Sequence, residues 1–299
     1  MPCTLRDRSD ANPALNGSHR FDRFSPAVGV TCQAHARLTL FASYSEGFRA
    51  PTPAELTCAD PTAPCKLPNA FLAAPPLHPV KARTYEIGAR GKVPFGQTLQ
   101  WSVGFFRTDL EDDLLFTTVQ TGGSGFFQNV DQTRRQGVEA GVSGAWDWLK
   151  YFVNYAYIDA TYETDTTLAS VMVAGGVRVQ AGDRIPGIPQ HNLKLGAEVA
   201  AFKNLWIGGN VLTTSGSFLR GDDGNMQAQV DGYTLVNLNA RYIPVTYLEL
   251  WARIDNVTNT QYETGGALNF NAFATPITVE RFVAPGAPRA GWVGVRARF

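Results

Sequence analysis

The residues best suited to chemistry in this chain are a pair of cysteines, a few histidines, two short acidic runs and several arginines at segment ends. Cys58 and Cys65 bracket the Pro-rich stretch TCADPTAPCK. In an oxidising compartment that spacing suits a disulfide closing a small loop, which would restrain it by roughly 2–3 kcal/mol on a chain-entropy estimate. The rival reading is a metal pair, for which His78 is the only nearby histidine. Cys3 and Cys32 receive no role. His19, His35, His78 and His191 are dispersed, and there is no nucleophile-elbow serine, no HExxH pattern and no phosphate-cradling glycine loop. No catalytic residue, metal site or cofactor is assigned, and an enzyme is not expected. Glu111–Asp113 and the run Asp222, Asp223, Gly224 have the composition for calcium binding or acid catalysis. Each reads more simply as a solvated strand end or loop tip, because neither has the ligand spacing of a calcium loop. Arg134, Arg135, Arg184 (in GDRIPGIP) and Arg220 (in LRGDDGN) are the candidates for holding an anionic ligand, since guanidinium donates paired hydrogen bonds to carboxylate or catecholate oxygens. The alternative for each is a pairing with a neighbouring loop carboxylate or with lipopolysaccharide.

The elements that must position these groups are strands. Glycine is abundant (29 residues), aromatics reach 11%, and charged residues make up 17%, below the usual quarter of a soluble domain. Lys plus Arg and Asp plus Glu balance at 26 each, so no bulk basicity exists to attract nucleic acid. Near the carboxy end, Val293, Val295, Ala297 and Phe299 alternate with Trp292, Arg296 and Arg298. Leu248, Leu250, Ala252 and Ile254 alternate with Glu249, Trp251 and Arg253, and Leu193, Leu195, Ala197 and Val199 with Asn192, Lys194 and Glu198. The period of two continues back to a weaker first strand at Phe24–Cys32, giving about eleven strands. No stretch has the 18 or so apolar residues of a membrane-spanning helix, but strands of a β-barrel need only about 9–11 alternating residues each.

The connections discriminate between water-facing and lipid-facing versions of such a sheet. Gln33–Arg37, Pro94–Gln97, Asp147–Lys150, Phe202–Asn204 and Pro244–Thr246 read as tight turns. Arg49–Lys81, Thr118–Phe127, Tyr162–Gln190, Ser215–Asp231 and Thr258–Ala290 read as long, polar, Gly- and Pro-rich loops. Strict alternation of short and long is the periplasmic–extracellular asymmetry of outer-membrane barrels. Tyr44, Trp101, Phe105, Trp146, Tyr151, Tyr155, Tyr157 and Tyr242 fall near strand ends on the apolar face, where interfacial girdles sit. The expected fold is therefore an all-β, antiparallel transmembrane β-barrel in the outer membrane of a Gram-negative cell. The first residues, MPCTLRDRSDANPALNGSHRFDRF, lack an apolar core followed by a small-residue cleavage site, so either export is absent or the true start lies upstream.

Several stretches resemble the barrel of TonB-dependent receptors: YSEGFRAPTPAEL at Tyr44–Leu56, FRTDLEDDLL at Phe106–Leu115, NVDQTRRQGVEAG at Asn129–Gly141, LWARIDNVTNTQYET at Leu250–Thr264, and the terminal Phe299. The resemblance implies that residues 24–299 form about eleven C-terminal strands of a larger barrel, with a long extracellular loop at 49–81 and an irregular segment at 1–23. The family's plug domain and first strands would lie before Met1. The implied function is energy-dependent uptake of a scarce nutrient complex, most readily a ferric siderophore or other metal chelate. The implied partners are the TonB energy-transducing complex acting through the absent plug, the barrel-assembly machinery reading Phe299, and outer-membrane lipid and lipopolysaccharide. A passive porin or adhesin barrel and a soluble β-rich carbohydrate-binding or hydrolytic domain are the alternatives.

Overall fold

The computed structural model describes residues 2–5, 17–52, 55, 77–94, 98–118, 125–271 and 273–298. Its strands in chain order are β1 (Pro2–Leu5), β2 (Gly17–Arg20), β3 (Ala27–His35), β4 (Leu38–Arg49), β5 (Val80–Val93), β6 (Thr98–Thr118), β7 (Gly125–Ala145), β8 (Leu149–Tyr162), β9 (Thr166–Leu168), β10 (Val177–Val179), β11 (His191–Phe202), β12 (Leu205–Thr214), β13 (Tyr233–Val245), β14 (Leu248–Asp255), β15 (Glu263–Asn271), β16 (Thr278–Pro285) and β17 (Ala290–Ala297). Eleven of them form one antiparallel sheet in the order β3-β4-β5-β6-β7-β8-β11-β12-β13-β14-β17. These correspond one to one with the strands expected from the alternation. β1–β2, β9–β10 and β15–β16 are separate two-stranded sheets. Among the described residues, β3 and β17 are each paired on one side only.

The register puts the apolar stripes on one face. Leu195 pairs with Val211 and Val153, Leu238 with Gly209 and Ile254, and Leu250 with Val295 and Tyr242. These side chains cover nothing: Ile87, Phe105, Leu238 and Val295 are 61%, 53%, 45% and 68% exposed. An unpartnered apolar face of this extent is too large for water and is what a lipid-facing wall requires. On β6 the stripe Leu99, Trp101, Val103, Phe105 gives way to Arg107, Asp109 and Glu111. At roughly 3.4 Å per residue, Leu99 to Phe105 spans about 20 Å along the strand, most of the ~25 Å apolar band of an outer-membrane barrel. Aromatic pairs mark both rims: Tyr44 on Tyr85 (5.1 Å) and Tyr157 on His191 (5.1 Å) at one, Trp146 on Tyr151 (5.5 Å) and on Trp148 (6.2 Å) at the other.

Above the Phe105 level the wall continues, because β6 and β7 are 21 residues long. The long loop expected at Thr118–Phe127 is reduced to 119–124, which lie outside the described residues. Strand pairing runs on past the expected boundary because Phe116 sits opposite Phe127, their rings in an edge contact at 5.1 Å. Two of the other long connections carry strands of their own: β9–β10 between β8 and β11, and β15–β16 between β14 and β17. Three hydrophobic clusters lie at this end of the sheet: Val130, Ala160 and Tyr162 of β7 and β8 with Leu168, Val177, Val179 and Ile185 of the following connection; Val171, Leu219, Val230 and Leu268; and Leu77, Val80 and Leu114 at the ends of β5 and β6. The described core thus sits where the long connections meet the strand ends and not between two sheets. Among the described residues no second large sheet covers the apolar stripes, as a water-facing version of this sheet would require.

Candidate functional site

The extracellular loops are joined by polar contacts as well as apolar ones. Tyr162, with no exposed surface, ends β8 and donates its hydroxyl to Asp223 in the 215–232 loop (2.8 Å). Asp222 accepts the backbone N–H groups of Met226 (2.8 Å) and Gln227 (2.9 Å), closing the turn that Asn225 completes at φ 52. Asn225 exchanges hydrogen bonds with the backbone of Arg184, accepting at 2.7 Å and donating at 2.8 Å. Arg220 bridges to β15 through Gly266 and Leu268 (3.1 and 2.8 Å). Loops 163–190 and 215–232 and the β15–β16 hairpin are therefore tied into a cap over the wall.

The acidic pair of this cap is not a solvated loop tip. Asp222 is fully buried and Asp223 nearly so, because the turn folds its carboxylates inward, toward Tyr162 and the backbone donors. Burial pushes both carboxyls above the usual carboxylate range, with the Tyr162 hydrogen bond opposing it at Asp223 and the two N–H groups opposing it at Asp222. The Glu111–Asp113 run also divides. Glu111 and Asp112 pair with Arg83 and Lys81, while Asp113, buried, accepts from Thr133 (2.8 Å) and Arg135 (2.8 Å). Among the described residues no group of acidic, His or Cys side chains is arranged to hold a metal.

The four candidate arginines are not brought together into one cluster. Arg134 faces Asp109 (2.7 Å) and Glu163, and Arg135 faces Asp113. Hydrogen bonds from Arg134 and Arg107 outweigh burial at Asp109 and hold its carboxyl below the usual range. Arg184 lies over the Phe218 ring (5.1 Å), and Arg220 is exposed; neither has a carboxylate partner among the described residues. Cys58, Cys65 and Phe299 lie outside the described residues, and Cys32 is free and exposed on β3.

The inward face of the membrane-level wall is polar and internally paired. Glu198 holds Arg241 (3.2 Å) and Asn239 (3.0 Å), Lys150 and Arg241 both lie over Trp206 (5.1 Å each), and Glu249 holds Arg296 (3.3 Å). Its aromatics lie flat across glycines of the next strand. A Cβ on Gly88, Gly196 or Gly294 would come within 2.4, 2.6 or 2.5 Å of Phe41, Phe152 or Trp251. The rings therefore cover the wall without filling the interior. A groove of about 460 Å³ lined by Arg37, Arg90, Lys92 and Gln100 runs along this face near the β3–β4 turn.

A polar inner face, a lipid-facing outer stripe and a folded extracellular cap agree with the comparison against known families, where the model of the TonB dependent receptor-like β-barrel matches residues 5–257. The chain belongs to the TonB-dependent receptor β-barrel family. It is thus wall of a Gram-negative outer-membrane barrel, and the relatives are transport receptors rather than enzymes. The metal-pseudopaline receptor CntO of Pseudomonas aeruginosa is 25% identical over 299 residues, covering 95% of this chain and 36% of that protein. The vitamin B12 transporter BtuB of Photobacterium profundum is 22% identical over 261 residues, covering 85% of this chain and 36% of that protein. Among solved structures, the copper transporter OprC superposes with a TM-score of 0.71 at 18% identity over 97% of this chain and 41% of its own. The ferric-catecholate import receptor Fiu of E. coli gives 0.68 at 17% identity over 95% of this chain and 36% of its own. The chain spans about a third of the length of the curated relatives it matches. Each of these likenesses to a solved structure speaks for the fold alone.

Proposed function

We propose that this TonB-dependent receptor wall belongs to a receptor for energised uptake of a metal–chelate complex, with ferric siderophores the first class to test. The observation that carries the reading is the family match over residues 5–257. The named cargo of the relatives spans metal-pseudopaline and vitamin B12, so the chelate class rests on this chain's own residues. Arg184 and Arg220, cap arginines without carboxylate partners among the described residues, are the proposed contacts for an anionic complex; Arg134 and Arg135, already paired, are proposed to shape the wall behind them. Coupling to the TonB complex would run through a plug domain outside the wall described here. Phe299 is the proposed recognition point for barrel assembly, Cys58 and Cys65 the proposed bridge of the 49–81 loop, and residues 24–299 the proposed barrel unit. The test is uptake of radiolabelled iron complexes by cells lacking their own siderophore receptors and expressing the plug-bearing receptor that carries this wall, with and without a protonophore. Uptake that collapses with the protonophore and falls in Arg184→Ala and Arg220→Ala supports the reading. Accumulation that ignores the protonophore points to a passive channel.

A further inference from the structure

The cap contains a recess whose lining includes neither Arg184 nor Arg220. It is a cleft of about 1170 Å³ over the extracellular end of β13, beneath the β15–β16 hairpin. Thr234, on the lipid-side face with Val236 and Leu238, and Tyr233, on the inward face, both line it, so it straddles the wall instead of lying wholly within the lumen. We propose that this cleft is a carbohydrate-binding site, taking a short run of sugar rings.

The argument rests on what the lining offers and what it lacks. Tyr233 and Tyr262 pack against one another at 4.4 Å between ring centroids, and Gly286 lets the chain pass directly behind Tyr262, where a Cβ would fall 2.1 Å from the ring. This fixed aromatic wall suits the C–H face of a pyranose. Around it stand Asp231, Gln261 and Glu263, whose side chains have no partner among the described residues, and Arg281, whose described contact is to the Gln229 carbonyl (3.3 Å). Carboxylate, carboxamide and guanidinium groups together accept from and donate to vicinal hydroxyls. Two carboxylates against one guanidinium make the recess a poor host for an anionic chelate, and so many polar groups make it a poor host for an apolar one. The walls are held in advance of any ligand. Asn256 donates to the carbonyls of Thr260 (2.9 Å) and Ala287 (3.2 Å) and accepts from the Thr260 N–H (2.8 Å), and Gly286 N–H donates to the Tyr262 carbonyl (2.8 Å). A preformed site of this kind spends little of its binding free energy on ordering itself.

Sugar could reach the cleft from the surrounding lipopolysaccharide or as free oligosaccharide, and two probes separate these sources. Saturation-transfer NMR on the protein in detergent micelles is run with a neutral O-antigen oligosaccharide released from lipopolysaccharide and, separately, with maltotriose. Transfer to ring protons of either probe is expected, falling at least fivefold in the isosteric double variant D231N/E263Q and in Tyr233→Leu. Thermal unfolding of each variant confirms that the fold is retained. No transfer from either probe, or transfer unchanged in both variants, overturns the proposal. Iron-complex uptake by the same variants is expected to stay at the wild-type level, so failure here and failure of the uptake reading are told apart.

Discussion

A single arginine placed on each face of β13 tests which solvent each face meets. Leu238 lies mid-stripe on the outer face, 45% exposed, between Gly209 and Ile254. Asn239, the next residue, points inward and donates to Glu198 (3.0 Å). An arginine at position 238 must carry its guanidinium toward the bilayer midplane, which costs about 2–4 kcal/mol in a barrel of this kind. That corresponds to roughly a 30- to 700-fold loss in the folding equilibrium. An arginine at 239 gives up one hydrogen bond worth about 1 kcal/mol and gains a place beside Glu198 in a wet interior, so its net effect should stay within about 1 kcal/mol. The neighbouring Asn237 is a worse comparator, because it donates to Asn210 (2.8 Å) and accepts from the Asn256 N–H (2.9 Å). The assay is denaturant titration of the protein folded into phospholipid vesicles, followed by tryptophan fluorescence. Equal midpoints for Leu238→Arg and Asn239→Arg would refute the assignment of faces. A larger loss at 239 would reverse it.

Four further outcomes are expected, the first three from the same geometry. Tyr162→Phe removes a buried donor from Asp223 and should raise hydrogen exchange across 215–232 by about 1–3 kcal/mol of lost protection, leaving the wall strands unchanged. Because the Asp222 and Asp223 carboxyls are both raised in the folded cap, docking of that loop should be strongest below the ordinary carboxylate range and weaken as pH climbs through the raised values; Asp223→Asn should reduce this dependence to the part that Asp222 supplies, and a dependence of opposite sign would contradict it. Gly294→Leu drives a side chain into the Trp251 ring and should cost about 1–3 kcal/mol with a shift in tryptophan emission, whereas Gly291→Ala, whose nearest neighbour is 3.8 Å away, should be nearly silent. Non-reducing peptide mapping of protein recovered from the outer membrane should find Cys58 joined to Cys65, and two free thiols would count against the loop being surface-exposed and oxidised.

The wall was legible in the sequence and the cap was not, for physical reasons that specific residues show. Every strand of the eleven-stranded sheet alternates, because one face meets lipid and the other a wet interior, and that contrast is written residue by residue, as in Leu248-Glu249-Leu250-Trp251. The cap strands have no such contrast. β9 (TTL) and β10 (VRV) are three residues each, and β15 (ETGGALNFN) carries two glycines, one at φ 150. The acidic run at Asp222 looked solvated because acidic residues next to glycine usually are. Its burial depends on Tyr162, sixty-one positions away, which alternation counts only as the last residue of a strand. The arginines were found by type and position, yet type alone could not say which of them their neighbours had already neutralised. Three of the four Asn residues at positive φ (Asn225, Asn256, Asn259) were the available signal, since each marks a turn whose side chain clips distant backbone.

The two halves of the molecule are stabilised by different means, and this bears on where it can move. At membrane level the described wall has almost no buried side chains. It is held by strand hydrogen bonds, by lipid on one face and by paired charges on the other, so no single inward substitution there removes a core. The cap is the reverse: Val171, Leu219, Val230 and Leu268 bury one another across three separate segments, and Tyr162, Asp223 and Asn225 fasten those segments to the end of β8 and to Arg184. A loop that moved alone would have to expose part of that shared core and strand buried carboxylates, each a cost of several kcal/mol. The three segments therefore move together or not at all. Any ligand-driven closure of one loop past another must be sought elsewhere on the extracellular rim, and a deuterium-exchange map in which 163–190, 215–232 and 263–285 opened with independent rates would show that the cap is not one body.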